Sequence, residues 1–365
     1  MEAADVPLRG IELRRVRLPL VHPHGDARGT QVERDVVVVR VETDDGRTGW
    51  GECPTLSAPT YIPEYTDGEW RLLVDLLVPS LLGGAGARPV GHAPACWAID
   101  TALADVRAQA HGCPLSSLWA GPAGARGRVA STAVVGLERD LDQLHRRVAA
   151  ALELGHRSVK VKIDPTWLVE PLTELRATWP DLDLSADANG SLAECDDRDY
   201  DAVEALGLAY LEQPLAPDDL TGSAALAARL RTPVVLDESV TSSGAVATIV
   251  ALGAADGVNA KPGRLGRESI AVARAAHDSG LEVLCGGMLE TGIGRAAALA
   301  VAALPAFTLP ADLGPSTSYF ERDLTEPFDL DARGTLEVPG GVGLGVVPDP
   351  QHLDVCTVEQ VWIGR

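Results

Sequence analysis

Aromatic residues are scarce: Phe, Trp and Tyr together make up 4% of the 365 residues. A core of stacked rings is excluded. With hydrophobic residues at 46%, the interior has to be aliphatic, packed from Val, Leu and Ala. Positive charge is also short. Lys and Arg number 31 against 52 Asp and Glu, a formal net charge of −21, and no Lys/Arg cluster offsets it. A phosphate-rich partner would be repelled, which excludes nucleic acid; otherwise an acidic shell means solubility. The six cysteines (Cys53, Cys96, Cys113, Cys195, Cys285 and Cys356) include no Cys-x-x-Cys pair and no Cys/His spacing suited to zinc. Free thiols in a reducing compartment are expected. Two motifs are missing as well. No Gly-x-Gly-x-x-Gly follows an early strand, and no Gly-x-Ser-x-Gly elbow appears, which argues against a dinucleotide-binding open sheet and a Ser-His-Asp hydrolase. Met1 to Gly10 lacks the apolar core of a signal peptide, and the run Ala296 to Leu304 is too short to span a bilayer. A cytoplasmic protein without a membrane partner is expected.

What is present divides by texture. A chain of this length exceeds a comfortable single core, so two domains are expected. Residues 1–127 read as α+β. Ile11 to Leu18 and Arg34 to Glu42 look like strands, Asp44-Asp45-Gly46 like a turn, and Thr48-Gly49-Trp50-Gly51 like the return strand. Helical patterning covers Pro63 to Leu82 and Pro94 to Ala110. Across residues 128–320 short apolar runs alternate with Ala/Leu-rich amphipathic stretches. The runs, beginning at Val129, Ser158, Leu182, Leu208, Pro233, Gly257 and Leu281, recur about every 25 residues, the length of one strand–helix unit. Seven or eight such units in succession imply a parallel sheet closed into a barrel. Residues 321–365 lose the pattern. Their Gly-rich turns and the strand Val358 to Ile363 match the first domain in composition and are expected to pack back onto it.

Polar residues sit where the predicted barrel strands end: Lys160-Val161-Lys162, Asp187-Ala188-Asn189, Glu212-Gln213-Pro214, Asp237-Glu238 and Asn259-Ala260-Lys261. The C-terminal ends of barrel strands form the mouth where active sites lie. Asp187, Glu212 and Asp237 fall on three adjacent strands at spacings of 25 and 25 residues. Converging carboxylates repel, and a hard divalent cation such as Mg²⁺ or Mn²⁺ resolves this. A single acid after a strand is as often a helix cap or a surface ion pair; three in register are not. Lys160 and Lys162 share one face of a strand whose other face is Val159, Val161 and Ile163, so the lysines point inward. Lysine is costly there unless it has a function. Lys261 enters from across the mouth. A metal and neighbouring positive charge are expected to lower a lysine pKa and free the amine as a base. These groups specify a reaction: a substrate carboxylate meets the cation, a lysine removes the α-proton, and the cation stabilises the enediolate. None of the eight histidines lies at a predicted strand end, which disfavours a histidine base.

The chain resembles the enolase superfamily, muconate-lactonizing subgroup, and within it the o-succinylbenzoate synthase / N-acylamino acid racemase family. The likeness spans nearly the whole chain. It is most specific at Lys160-Val-Lys162, Asp187-Ala-Asn189, Leu211-Glu-Gln-Pro-Leu215, Leu236-Asp-Glu-Ser239, Asn259-Ala-Lys-Pro-Gly-Arg264 and Cys285-Gly-Gly-Met-Leu-Glu-Thr-Gly292, with Gly49-Trp-Gly-Glu-Cys53 and Thr325-Glu-Pro-Phe328 in support. The resemblance implies an α/β fold, a (β/α)₇β modified TIM barrel with an α+β capping domain formed by the N-terminal region and the C-terminal tail. It implies Mg²⁺ on Asp187, Glu212 and Asp237, with Mn²⁺ or Co²⁺ as substitutes. It makes Lys162 and Lys261 the acid/base pair on opposite substrate faces, Lys160 an electrostatic aid, and Asn189 and Glu238 supporting groups behind the metal ligands and lysines. Substrate contacts fall on His24, Arg28, Leu56, Tyr61, Val134 and Met288. A small-molecule carboxylate is the implied partner, a homo-oligomer the implied assembly, and menaquinone biosynthesis the setting of the synthase activity.

The sequence also departs from the family. A Phe and an Arg usual in the capping loop become His24 and Gly25, a Ser of the first barrel strand becomes Val134, and an aromatic becomes Leu192. The proton chemistry is untouched; the substrate side chain is where these changes act. Dipeptide epimerase and muconate cycloisomerase are the alternatives within the superfamily. Asp312-Leu-Gly314 lacks the second Asp that an epimerase would use to hold a dipeptide amine. A non-catalytic, metal-stabilised binding protein is the reading from another class. Loss of a base or a ligand would favour it, and none is lost.

Overall fold

A computed structural model describes residues 7–26, 29–84, 89–138 and 140–365. The N-terminal strands β1 (Leu8–Asp26), β2 (Gly29–Thr43) and β3 (Thr48–Cys53) form an antiparallel sheet. The run Val36-Val37-Val38-Val39 in β2 is buried on both faces. Val37 and Val39 pack into the cap core with Leu73 and Ile99, while Val36 and Val38 join the larger core that continues into the barrel. A strand buried on both sides loses the alternation of a half-exposed one, hence four consecutive valines.

The return strand explains the Gly49-Trp-Gly motif. It lies against the helix Ala93–His111 so closely that a Cβ at Gly49 would sit 2.1 Å from the Ala102 carbonyl oxygen, and one at Gly51 2.0 Å from that of Ala98. Gly51→Ala should therefore push strand and helix apart. The expected loss is about 1–3 kcal/mol of stability from overpacking, read as a lower urea midpoint at unchanged slope. An unaltered midpoint would show that the contact relaxes freely. The predicted helix of residues 63–82 begins at Thr66 and carries a π-turn over Leu73–Leu77. Pro79 follows; it lacks an N–H and its ring crowds the carbonyl four residues back.

The second half alternates strand and helix. After the short β4 (Arg128–Ala130) come β5 (Thr132–Val135), β6 (Ser158–Lys162), β7 (Asp183–Asp187), β8 (Leu211–Glu212), β9 (Val234–Leu236), β10 (Gly257–Asn259) and β11 (Glu282–Leu284). They form one parallel sheet in chain order. An eighth position, Ala311–Asp312, bridges both edges: Ala311 pairs with Ser131 before β5, and Asp312 with Gly286 after β11. The (β/α)₇β barrel is thus closed by a two-residue strand. Val159, Val161, Ile163, Leu184 and Ala186 face Leu144, Val148, Leu172 and Leu175 of the surrounding helices, an aliphatic layer as the composition required. Residues 128–130 pair instead with β12 (Thr335–Glu337). The last strand, β13 (Thr357–Gly364), runs antiparallel to β1 and completes the cap sheet in the order β13-β1-β2-β3. No helix among the described residues is long and apolar enough to cross a membrane, and all six cysteines are free.

Candidate active site

Lys162 ends β6, Asp187 ends β7, Glu212 ends β8, Asp237 follows β9, and Lys261 lies two residues beyond β10. All five are buried. The alternation argument holds, since Val159 and Val161 face the helices while Lys160 and Lys162 point into the barrel.

Each carboxylate is drawn to a lysine. Lys162 Nζ donates to Asp187 Oδ2 at 2.6 Å and to Asn189 Oδ1 at 2.9 Å. Lys261 Nζ donates to Asp237 Oδ2 at 2.6 Å and to the Tyr61 hydroxyl at 2.9 Å, and that hydroxyl donates to Asp237 Oδ2 at 2.8 Å. Lys160, only 1% exposed, lies between Glu212 Oε2 at 2.5 Å and Asp312. The fall in lysine pKa belongs to a metal-loaded site; among the protein's own groups the balance runs the other way. Burial pulls the Lys160 and Lys261 ammoniums down, but Asp312 and Glu212 on one, and Asp237 on the other, outweigh it and hold both well above the usual range. The sequence could not show that carboxylates pair directly with these amines. Asp237 is held low: burial would raise it, yet Lys261 and Arg264 dominate. Glu212 is the carboxylate pushed up. Burial does most of this, and Asp187, Asp312 and Asp237 add to it against the pull of Lys160.

Supporting groups fix these charges. Asn189 accepts from Lys162, donates its backbone N–H to Asp187 Oδ1 at 2.9 Å, and donates its side-chain amide to Glu238 at 3.1 Å. Asn259 donates to Glu212 Oε1 at 2.8 Å. Arg264 donates to Asp237 Oδ1 at 3.1 Å and to the Asp237 carbonyl at 2.8 Å. The Gln213 side-chain oxygen accepts from the N–H groups of Asp237 and Ser239 at 2.9 and 3.2 Å. Asn189, Gln213 and Leu289 all stand at the mouth with positive φ (46°, 37° and 56°), the kind of backbone strain that collects at functional sites.

Between mouth and cap lies a cavity. Lys162, Lys261 and Asn189 line it from the barrel, and His24, Leu56 and Tyr61 from the cap, with Met288 on the wall between. The predicted contacts are thus largely brought together. Two are not. Val134 lines a neighbouring crevice that shares His24 and Leu289 with this cavity, and Arg28 lies outside the described residues. Lys160 does not line the cavity; it sits beneath, under Glu212. His24 brings an imidazole to the site from a cap strand, a position that a search of barrel strand ends passes over.

Two family models cover most of the chain. Residues 9–119 match the mandelate racemase / muconate lactonizing enzyme N-terminal domain, and residues 143–352 the enolase C-terminal domain-like family. The chain belongs to the enolase superfamily. It is 41% identical to an N-succinylamino acid racemase of Amycolatopsis sp, over 98% of this chain and 99% of that one. It is 34% identical to an o-succinylbenzoate synthase of Geobacillus stearothermophilus, over 94% of each. A solved superfamily member from Listeria innocua superposes with a TM-score of 0.89 at 26% identity, covering 98% of this chain and 99% of that one.

Superfamily members of this kind use a divalent metal ion. Among the described residues no three His, Cys, Asp or Glu side chains are gathered as a ready ligand cage, because Asp187, Glu212 and Asp237 each turn to a lysine. The donor set nevertheless fits a hard cation. Adjacent strands supply three buried carboxylates and no softer ligand. At this end of the barrel, buried carboxylates (Asp187, Glu212, Asp237, Glu238 and Asp312) outnumber buried cations (Lys160, Lys162, Lys261 and Arg264). Asp312 and Arg264 are site residues to which the sequence reading gave no part in the proton chemistry; Asp312 entered it only through the epimerase comparison. Arg264 sat in a quoted motif. Asp312 had a signal too, a polar residue at the end of the eighth strand, but that strand is too short to stand out.

Proposed function

We propose that this protein abstracts the proton α to a carboxylate, acting as an N-acylamino acid racemase, an o-succinylbenzoate synthase, or both. The observation that carries the reading is that two lysines from opposite sides of the barrel, Lys162 and Lys261, line one cavity above three buried carboxylates. A divalent ion on Asp187, Glu212 and Asp237, with Mg²⁺ as the natural choice, would supply positive charge where the α-carbanion's negative charge develops and would draw the carboxylates away from the lysines. Lys162 and Lys261 then act as base and acid from opposite faces. Asn189 orients Lys162, and Tyr61 orients Lys261 through its hydroxyl. The buried Lys160 balances the charge of Glu212 and Asp312. Asp312-Leu-Gly314 offers no second Asp to hold a dipeptide amine, which supports the racemase and synthase readings over an epimerase. The test is a screen in D₂O: N-succinyl- and N-acetylamino acids followed by α-deuterium uptake, and the hydroxylated precursor of o-succinylbenzoate followed by dehydration. No exchange and no dehydration with any of them would sink the proposal.

The capping loop bears on the acyl group. A Phe closing over it would bury apolar area worth roughly 1.5–3 kcal/mol, and an Arg would make a bidentate pair with a succinyl carboxylate. This chain offers His24 and Gly25 there, with Arg28 as the one guanidinium of residues 20–30 that would compensate for the missing Arg. We expect a weaker preference for N-succinyl over N-acetyl substrates than a Phe/Arg loop would give. The deficit should fall in KM, because these contacts lie away from the reacting carbon and bind ground and transition states alike. Comparing kcat/KM for the two acyl forms of one amino acid, in wild type and Arg28→Ala, decides it. A strong N-succinyl preference that survives Arg28→Ala would show that the loop does not set specificity.

A further inference from the structure

Arg34 and Glu52 are two buried charged groups that the acid–base reading leaves without a task. They stand on adjacent cap strands, β2 and β3, and are 0% and 1% exposed. Burial of unused charge is costly, and what these two groups touch is specific. Arg34 Nη2 donates to the carbonyls of Pro54 at 2.7 Å and Thr55 at 3.0 Å in the cap, while its Nε donates to the Leu289 carbonyl at 3.2 Å in the barrel. Glu52 accepts from the Thr291 N–H at 3.1 Å, the Thr291 hydroxyl at 2.5 Å and the Gly294 N–H at 3.0 Å, at the start of the helix Gly292–Ala302. A guanidinium and a carboxylate from the cap thus grip one barrel loop two residues apart.

We propose that Arg34 and Glu52 are positioning residues of the reaction: together they fix residues 287–291 against the cap, and through that loop they set the Lys261 side of the cavity. The inference rests on the two-lysine reading above. Three further observations support it. Leu289, the residue Arg34 holds, has φ 56°, a left-handed conformation that leucine keeps only where its surroundings over-determine it. Met288 and Leu289 line the lysine cavity themselves. The same loop also touches the segment that carries Lys261: a Cβ on Gly263 would lie 2.7 Å from Met288 Cγ and 2.9 Å from Pro54 Cγ, and one on Gly286 2.3 Å from Lys261 Cε. Cap, loop and the Lys261 turn therefore interlock. Neither lysine hydrogen-bonds the loop: Lys261 is tied to it by the packing of its turn, whereas Lys162, on β6, is held by Asp187 and Asn189 on the other side of the barrel.

That asymmetry gives the test. Each enantiomer of an N-acylamino acid substrate is incubated in D₂O and its α-proton exchange measured separately, with Lys261→Ala identifying the enantiomer that depends on Lys261. Arg34→Lys keeps the charge but loses the fork, and Glu52→Gln keeps the volume. In both variants exchange at the Lys261 face should fall by about tenfold or more, since small misplacement of a reacting group is costly in rate, while exchange at the Lys162 face stays within about threefold. Equal losses on both faces, or no loss on either, would overturn the proposal. If Arg34→Lys does not fold, Glu52→Gln decides alone. Wild-type protein that exchanges neither enantiomer would sink the two-lysine reading itself, whereas wild-type exchange with symmetric variants would sink only the latch.

Discussion

Lys162→Ala and Lys261→Ala should each cut racemisation by roughly 10³-fold, within the 10²–10⁴ range that a positioned acid or base contributes. Both are expected to be severe because racemisation uses both groups in every turnover. One lysine takes the α-proton from its face, and the other returns a proton to the opposite face, so removing either stops both directions. The two lysines are held alike, Lys162 by Asp187 and Lys261 by Asp237, each at 2.6 Å, so a cation competing for those carboxylates would release both for either role. Exchange without inversion separates the roles further. Lys261→Arg should still exchange the α-proton of the enantiomer that faces Lys162, and Lys162→Arg the other. Syn dehydration needs one lysine, so it should survive one of the two substitutions far better than racemisation does. Lys261→Ala protein that racemises near the wild-type rate would show that the second base is elsewhere.

The mouth of the barrel was legible because of a regularity: a polar residue closing an apolar run, repeated at the spacing of a strand–helix unit. Asp187, Glu212, Asp237, Lys162 and Lys261 all stand out in this way. Inward direction could be read for Lys160 and Lys162 because valines alternate with them. Contacts across the chain were not legible. Arg34 and Leu289 are 255 residues apart, and Glu52 and Thr291 are 239. On a strand, Arg34 and Glu52 look like ordinary surface charges until the cap is folded over the barrel. The pairing of each lysine with its carboxylate was hidden for a related reason. Spacing shows that charges converge but not which pairs form, and a pair at 2.6 Å outweighs burial. Strand eight was short for a physical reason as well: two residues suffice to bridge Ser131 and Gly286, too few for any periodicity.

Stripping divalent ions with a chelator should abolish turnover, and Mg²⁺, Mn²⁺ or Co²⁺ should restore it. The argument is electrostatic. The site buries five carboxylates against four cations, and Glu212 is pushed up in pKa by burial and by its acidic neighbours, the mark of a cluster carrying more negative charge than its surroundings balance. A cation that binds only the folded state adds stability by mass action, about 2.7 kcal/mol at a hundredfold excess over its dissociation constant. A second readout therefore exists that needs no substrate: the melting temperature should rise by several degrees as Mg²⁺ is added to chelated protein. Asp187→Asn, Glu212→Gln and Asp237→Asn should each blunt that rise, whereas Asp278→Asn, an exposed residue at the end of the helix Glu268–Asp278 that leads to the start of β11, opposite the mouth, should leave it intact. Asp237→Asn should show an added effect, because it also releases Lys261, Tyr61 and Arg264 from their shared partner. Full turnover in metal-stripped enzyme would refute the ligand assignment. So would a melting temperature indifferent to Mg²⁺, since three buried carboxylates that ignore a hard cation would have to be satisfied by their lysines alone.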